Sequence, residues 1–165
     1  MVWRLYQEHE HKWAKIFYYK YLDPADPESI FRMKNLPKGS ECWNFMSKCQ
    51  KIISKYLTWE VVAGNKALFW EDSWDGHPPI QSSPTIDSLK ARLSPLWGNK
   101  VEDYKIKVTS NGNLRWRWRS LDGLELDSEL VEMYDKIIAN RNIKQSKRTD
   151  RLIWARAKDG IYSVK

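Results

Sequence analysis

Residues 40–70 read SECWNFMSKCQKIISKYLTWEVVAGNKALFW, and this stretch decides the fold class. Ser40 is a good helix N-cap, with Gly39 just before it and Glu41 in the first turn. Cys42, Phe45, Met46, Cys49, Ile52, Ile53, Tyr56 and Leu57 then recur at steps of three and four, while Lys48, Lys51 and Lys55 fall outside that stripe. The spacing predicts an amphipathic helix buried along one side, with both cysteines as buried thiols. Directly after it, Thr58 to Ala63 and Lys66 to Trp70 are strand-like, and Gly64-Asn65 between them predicts a tight hairpin turn. A long helix followed by a hairpin points to an α+β chain.

Toward the N-terminus, His9 to Leu22 is predicted helical, with Trp13, Ile16, Phe17 and Tyr21 on one face. Asp23-Pro24 and Asp26-Pro27 stop it, since proline removes a donor and restricts the residue before it. Toward the C-terminus, Gly76 to Pro84 is rich in proline and serine and reads as a linker, with a short helix over Ile86 to Leu93 ending before Pro95. Tyr104 to Val108 and Leu114 to Leu121 read as strands around an Asn111-Gly112 turn. Asp127 is the N-cap of a further helix whose buried face is Leu130, Met133, Tyr134, Ile137 and Ile138. Leu152 to Ala157 and Ile161 to Val164 flank Asp159-Gly160, a hairpin signal. The expectation is two small lobes: residues 1–76, helical and ending in a hairpin, and residues 100–165, mixed, with residues 77–99 as the linker.

Ten tryptophans and eight tyrosines are unusual in 165 residues, and most are expected to anchor the core. A formal charge of +7 favours a polyanionic partner, of which nucleic acid is the commonest. Two cysteines are too few for a disulfide scaffold. No run reaches the ~20 apolar residues of a membrane span, and no signal-peptide core follows Met1. The chain reads as intracellular, nuclear or cytoplasmic, with no membrane partner.

Arg115-Trp116-Arg117-Trp118-Arg119 is the most suggestive run. As a strand it places three guanidiniums on one face and two indoles on the other. Alternate strand residues lie roughly 6.6 Å apart, so the arginine row could track a phosphate backbone. The indoles then either fill the core or stack bases, and the alternative is a merely solvated arginine face. Asn140 to Arg151 is the second basic candidate, carrying Arg141, Lys144, Lys147, Arg148 and Arg151 with one acid, Asp150. Catalytic and metal chemistry is weakly supported. Glu71, Asp72 and Asp75 are the nearest thing to an acidic cluster, and turn-bonding is the better reading of the aspartates. Cys42 and Cys49 have the wrong spacing for a zinc pair, and His9 and His11 point apart on a helix. No metal, no cofactor and no catalytic residue is expected.

Three stretches resemble the region downstream of the polymerase domain in plant LINE-type (non-LTR) retrotransposon reverse transcriptases. The first comprises Val2-Trp3-Arg4-Leu5, Trp13-Ala14-Lys15-Ile16 and Lys20-Tyr21-Leu22. The second runs from Cys42-Trp43 through Trp59-Glu60-Val61, Gly64-Asn65-Lys66 and Phe69-Trp70-Glu71-Asp72-Ser73-Trp74. The third is Asp150-Arg151-Leu152-Ile153-Trp154 with Lys158-Asp159-Gly160-Ile161-Tyr162-Ser163-Val164-Lys165. Lys66 stands where the family usually has glycine, and Tyr104 to Leu126 matches poorly. In that family the region lies between the polymerase palm and a zinc-binding segment often followed by ribonuclease H. The resemblance implies a non-enzymatic segment, thumb-like or connecting, that packs behind the polymerase domain and contacts RNA or an RNA–DNA duplex. The family's polymerase carboxylates sit on an aromatic-x-Asp-Asp hairpin, and no Asp-Asp pair occurs here. The rival readings are a relic open reading frame, suggested by the start at Met1 and the stop at Lys165, a tryptophan-rich carbohydrate-binding module, and a hydrolase using Glu71 or Asp75.

Overall fold

Trp43 is the organising residue of the N-terminal part. Its indole stacks on Tyr21 with ring centres 4.4 Å apart and the planes 9° from parallel, and lies over Phe17 at 6.0 Å. Its Nε1–H donates to the Pro37 carbonyl at 2.8 Å, so the one polar atom of a fully buried ring is satisfied. Gly39 is required here, because a Cβ would come within 2.5 Å of Tyr21 and 2.7 Å of Trp43.

The computed structural model describes residues 1–33, 35–81, 83–110, 113–139, 141 and 148–155. They form an α+β chain of two compact units, Met1–Leu57 and Thr58–Lys165. The first unit holds α1 (Val2–Gln7), α2 (Lys12–Tyr21), α3 (Ser29–Arg32) and α4 (Glu41–Ile53). Val2, Leu5, Ala14, Tyr18, Ile30, Leu36, Trp43 and Met46 make its core. Ser40 caps α4 as the sequence predicts, its Oγ accepting from the Trp43 N–H at 3.3 Å.

The buried face of α4 shares Met46, Cys49 and Ile53 with the predicted stripe and departs from it at the edges. Trp43, Met46 and Gln50 point inward, whereas Phe45 and Ile52 are each 62% exposed and Cys42 is exposed. One residue is about 100° of helix, so Cys42, Phe45 and Ile52, each next to an inward position, fall on the outer side. Gln50 is held inside by its Nε2–H, which donates to the Met33 carbonyl at 3.3 Å. A polar residue at a core position is what periodicity cannot foresee. In α2 Trp13, Phe17 and Tyr21 pack against the core as predicted, beside the buried Ala14 and Tyr18, while Ile16 lies on the outer face.

The second unit contains most of β1 (Leu57–Glu60), then α5 (Pro84–Trp97), β2 (Lys105–Ser110), β3 (Asn113–Trp118), α6 (Ser128–Ala139) and β4 (Arg151–Trp154). Its core gathers Trp59, Phe69, Trp70, Trp74, Leu89, Leu93, Tyr104 and Tyr134 among others. Phe69 stacks on Tyr104 at 3.9 Å, and Trp70 Nε1–H donates to Tyr104 Oη at 2.8 Å. The units therefore divide at Leu57, not near Gly76, because the aromatic residues 59–74 pack with helices α5 and α6.

Part of the expected 77–99 linker joins the core, through Ile86, Leu89 and Leu93. α5 runs the full 14 residues, with Ser83 Oγ accepting from the Ile86 N–H and Pro84 in the first turn. Pro95 lies inside its last turn rather than beyond its end. A helical φ suits proline, and only one intrahelical donor is missing there.

The predicted hairpin around Gly64-Asn65 does not form. β1 pairs with β4, the Trp59 N–H donates to the Ser73 carbonyl, and residues 67–69 bond to residues 99–101 through Val101 N–H to Ala67 O and Phe69 N–H to Asn99 O. The second predicted hairpin is present, with β2 and β3 antiparallel in the register Lys105↔Trp118 to Ser110↔Asn113; its Asn111-Gly112 turn lies outside the described residues. α6 follows the predicted face, with Leu130 and Tyr134 buried and Met133, Ile137 and Ile138 packed against the core. The Asp159-Gly160 hairpin also lies outside the described residues. Among those described, no helix is long and apolar enough to cross a membrane.

Candidate nucleic-acid interface

Register fixes which side chains share a face of the β2–β3 hairpin. Arg117 lies opposite Ile106 and Arg115 opposite Val108, while Trp116 lies opposite Lys107 and Trp118 opposite Lys105. Arg115 and Arg117 are both exposed, two residues apart on one strand. On the other face the Lys107 ammonium lies 4.9 Å, and that of Lys105 5.2 Å, from the Trp116 ring centre. Trp116 is half-buried, and Trp118 packs on Trp74 and Phe69 with its Nε1–H donating to the Arg141 carbonyl. The Trp118 indole is therefore a core ring, not a base-stacking platform.

The predicted row of three arginines is a row of two. β3 ends at Trp118, and Arg119 turns back into the unit. Its Nε–H donates to the Asp103 carbonyl at 2.7 Å and its guanidinium lies over the Trp97 ring. Its own carbonyl accepts from Tyr134 Oη–H, so the residue braces α5, α6 and the turn Val101–Tyr104.

The second basic candidate separates in the same way. Arg141 is buried, with its guanidinium carbon 3.8 Å from the Trp74 ring centre. Burial pulls its pKa down to about 10, against the opposing pull of Asp75, and leaves it charged at neutral pH. It is a core cation and not a phosphate contact. Arg148 and Arg151 are exposed, and Arg151 pairs with Glu60 between β4 and β1. Lys144 and Lys147 lie outside the described residues.

Two charged residues that the sequence did not mark are buried beside each other. Asp150 is 4% exposed, and its carboxylate accepts the N–H groups of Val62, Gly64, Lys66 and Ala67 at 2.7–3.3 Å. Lys105 is equally buried, and its ammonium donates to the carbonyls of Val62 at 3.3 Å and Ala63 at 2.6 Å. Burial lowers the Lys105 pKa, and the nearby Asp150 carboxylate opposes that shift. Asp150 had one visible signal, being the only acid in a basic stretch just before a strand. Lys105 had none, since alternation with Lys107 gives no sign that one is inside and the other exposed.

The acidic cluster disperses. Asp72 accepts from the Leu68 N–H at 2.9 Å and Asp75 from the Val61 N–H at 3.4 Å, the turn-bonding role expected of them, while Glu71 pairs with Lys90. Among the described residues no group of three or more His, Cys, Asp or Glu is placed to hold a metal ion. Cys42 is exposed, contrary to the expectation of a buried thiol, while Cys49 is half-buried and packs against the core of the first unit. No protein-family model, no curated protein and no solved structure matches the chain.

Proposed function

We propose that this chain is a non-catalytic, nucleic-acid-contacting segment of a LINE-type retrotransposon reverse transcriptase polyprotein, thumb-like or connecting in role. The observation that carries the reading is the exposed pair Arg115 and Arg117 on one face of the β2–β3 hairpin, in a chain of formal charge +7. Side chains alternating on a strand repeat at roughly 6.6 Å, close to the spacing of successive phosphates, so both guanidiniums can engage one backbone. Lys107, exposed on the opposite face, and Arg148 add positive surface in the same unit. Such contacts read charge and not sequence, which suits a segment that holds a template while chemistry is done by other domains. The partners of this reading are RNA or an RNA–DNA duplex and the polymerase domain, inside the cell.

Fluorescence-anisotropy titration with single-stranded RNA and with an RNA–DNA hybrid, at two salt concentrations, tests it. Weak binding that falls steeply with salt is expected. Changing Arg115 and Arg117 together to alanine lowers the salt slope by about 0.7 per contact on a single strand and about 0.9 on a duplex. Binding that ignores salt, or is unchanged in the double variant, removes the proposal.

A further inference from the structure

The loop 62–67 is built to hold an anion. Four of its backbone N–H groups, from Val62, Gly64, Lys66 and Ala67, converge on the two oxygens of one buried carboxylate, that of Asp150. Backbone N–H groups gathered in this way form a concave nest suited to an oxyanion. Two of the loop's carbonyls, those of Val62 and Ala63, meet the Lys105 ammonium instead. The loop is thus sorted, donors to the anion and acceptors to the cation.

What shapes the loop is separate from what fills it. Gly64 O accepts from the Glu102 N–H and Ala67 O from the Val101 N–H, both at 2.9 Å. Gly64 has φ +86°, and a Cβ there would come within 2.6 Å of the Glu102 nitrogen, so the chain can lie this close only as glycine. None of these contacts, nor either Lys105 bond, is made to the carboxylate itself. With the carboxylate taken away, the four donors would stay convergent and unsatisfied next to an ammonium, and an unpaired buried donor is costly. The residues flanking Asp150, namely Arg148, Thr149 and Arg151, are all exposed.

We propose that loop 62–67 is an oxyanion receptor whose built-in occupant is the Asp150 side chain, a latch that a carboxylate or phosphate group from outside can replace. The test is chemical rescue. Asp150→Gly empties the nest, and Asp150→Asn fills it with an amide whose N–H₂ faces donors. Thermal unfolding of both variants is followed in acetate, in inorganic phosphate and in chloride at matched ionic strength. Both variants melt below the parent in chloride. Acetate raises the midpoint of Asp150→Gly in a concentration-dependent way, as expected of a ligand that binds only the folded state, and leaves Asp150→Asn where it was. Rescue by acetate alone assigns a nest of carboxylate size, and rescue by phosphate as well assigns one that accepts a phosphate ester. A midpoint equal in all three salts overturns the proposal. Should Asp150→Gly fail to fold in every salt, Asp150→Ser is measured the same way, and its indifference to acetate over chloride is equally decisive.

Discussion

Arg141 illustrates how little a basic residue's identity says about its job. A guanidinium 3.8 Å above the Trp74 ring, out of water, contributes through its flat apolar faces as much as its charge. Taking a charge out of water costs free energy, so a well-packed apolar replacement can match it. Urea denaturation should therefore find Arg141→Ala destabilised by about 2 kcal/mol, from the lost ring contact and packing, with Arg141→Met much closer to the parent. Neither change should alter RNA affinity. A loss of affinity in Arg141→Met at unchanged stability would return this residue to the phosphate-binding set. The same reasoning sorts Arg119, just past the end of β3 and bonded to the Asp103 carbonyl, from Arg115 and Arg117 on the exposed face of that strand.

At the level of the element, α4 is where the sequence was most informative and still misread. The apolar steps run on to Leu57 although the helix stops at Ile53, but its N-cap and its amphipathic character were legible, because they depend on Ser40 and on local spacing. The edges of its buried face were not, because those depend on Tyr21 and Phe17 stacking on Trp43 and on Met33 drawing in Gln50. Met46→Ala should accordingly cost about 2–5 kcal/mol as a core truncation. Phe45→Ala should stay within about 0.5 kcal/mol, as a surface change. Met46 lies on both the predicted and the observed face, so the denaturant midpoint of Phe45→Ala is the one that decides between them. The β2–β3 hairpin was readable for the converse reason, since two strands and a turn signal sit next to each other in the chain. The region 58–70 was not, because its partners are residues 73–75, 99–101 and β4, and its donors go to an aspartate far along the chain.

For the molecule as a whole, the aromatic residues set the alkaline limit. No tryptophan is fully exposed, and Tyr18 in the first unit and Tyr104 and Tyr134 in the second are almost fully buried. Burial raises all three phenol pKa values above the ordinary 10. The unfolded chain ionises these phenols first, so their contribution to stability is complete below pH 10 and is lost as pH rises through their higher folded values. Near-ultraviolet absorbance should show the buried phenolates appearing together with loss of the native circular dichroism. Ionisation of all phenols in one ordinary step, with the fold intact, would contradict the burial described. The nest around Asp150 also has a consequence in time. Its donors precede that aspartate by 83 to 88 residues, so during translation the first strand of the second unit is made long before anything can complete it. Closing so long a stretch is entropically slow. Until the ribosome has delivered that aspartate, a nascent chain carries loop 62–67 with four unmet donors and a first strand without its partner β4, which makes co-translational chaperone engagement most needed over this interval.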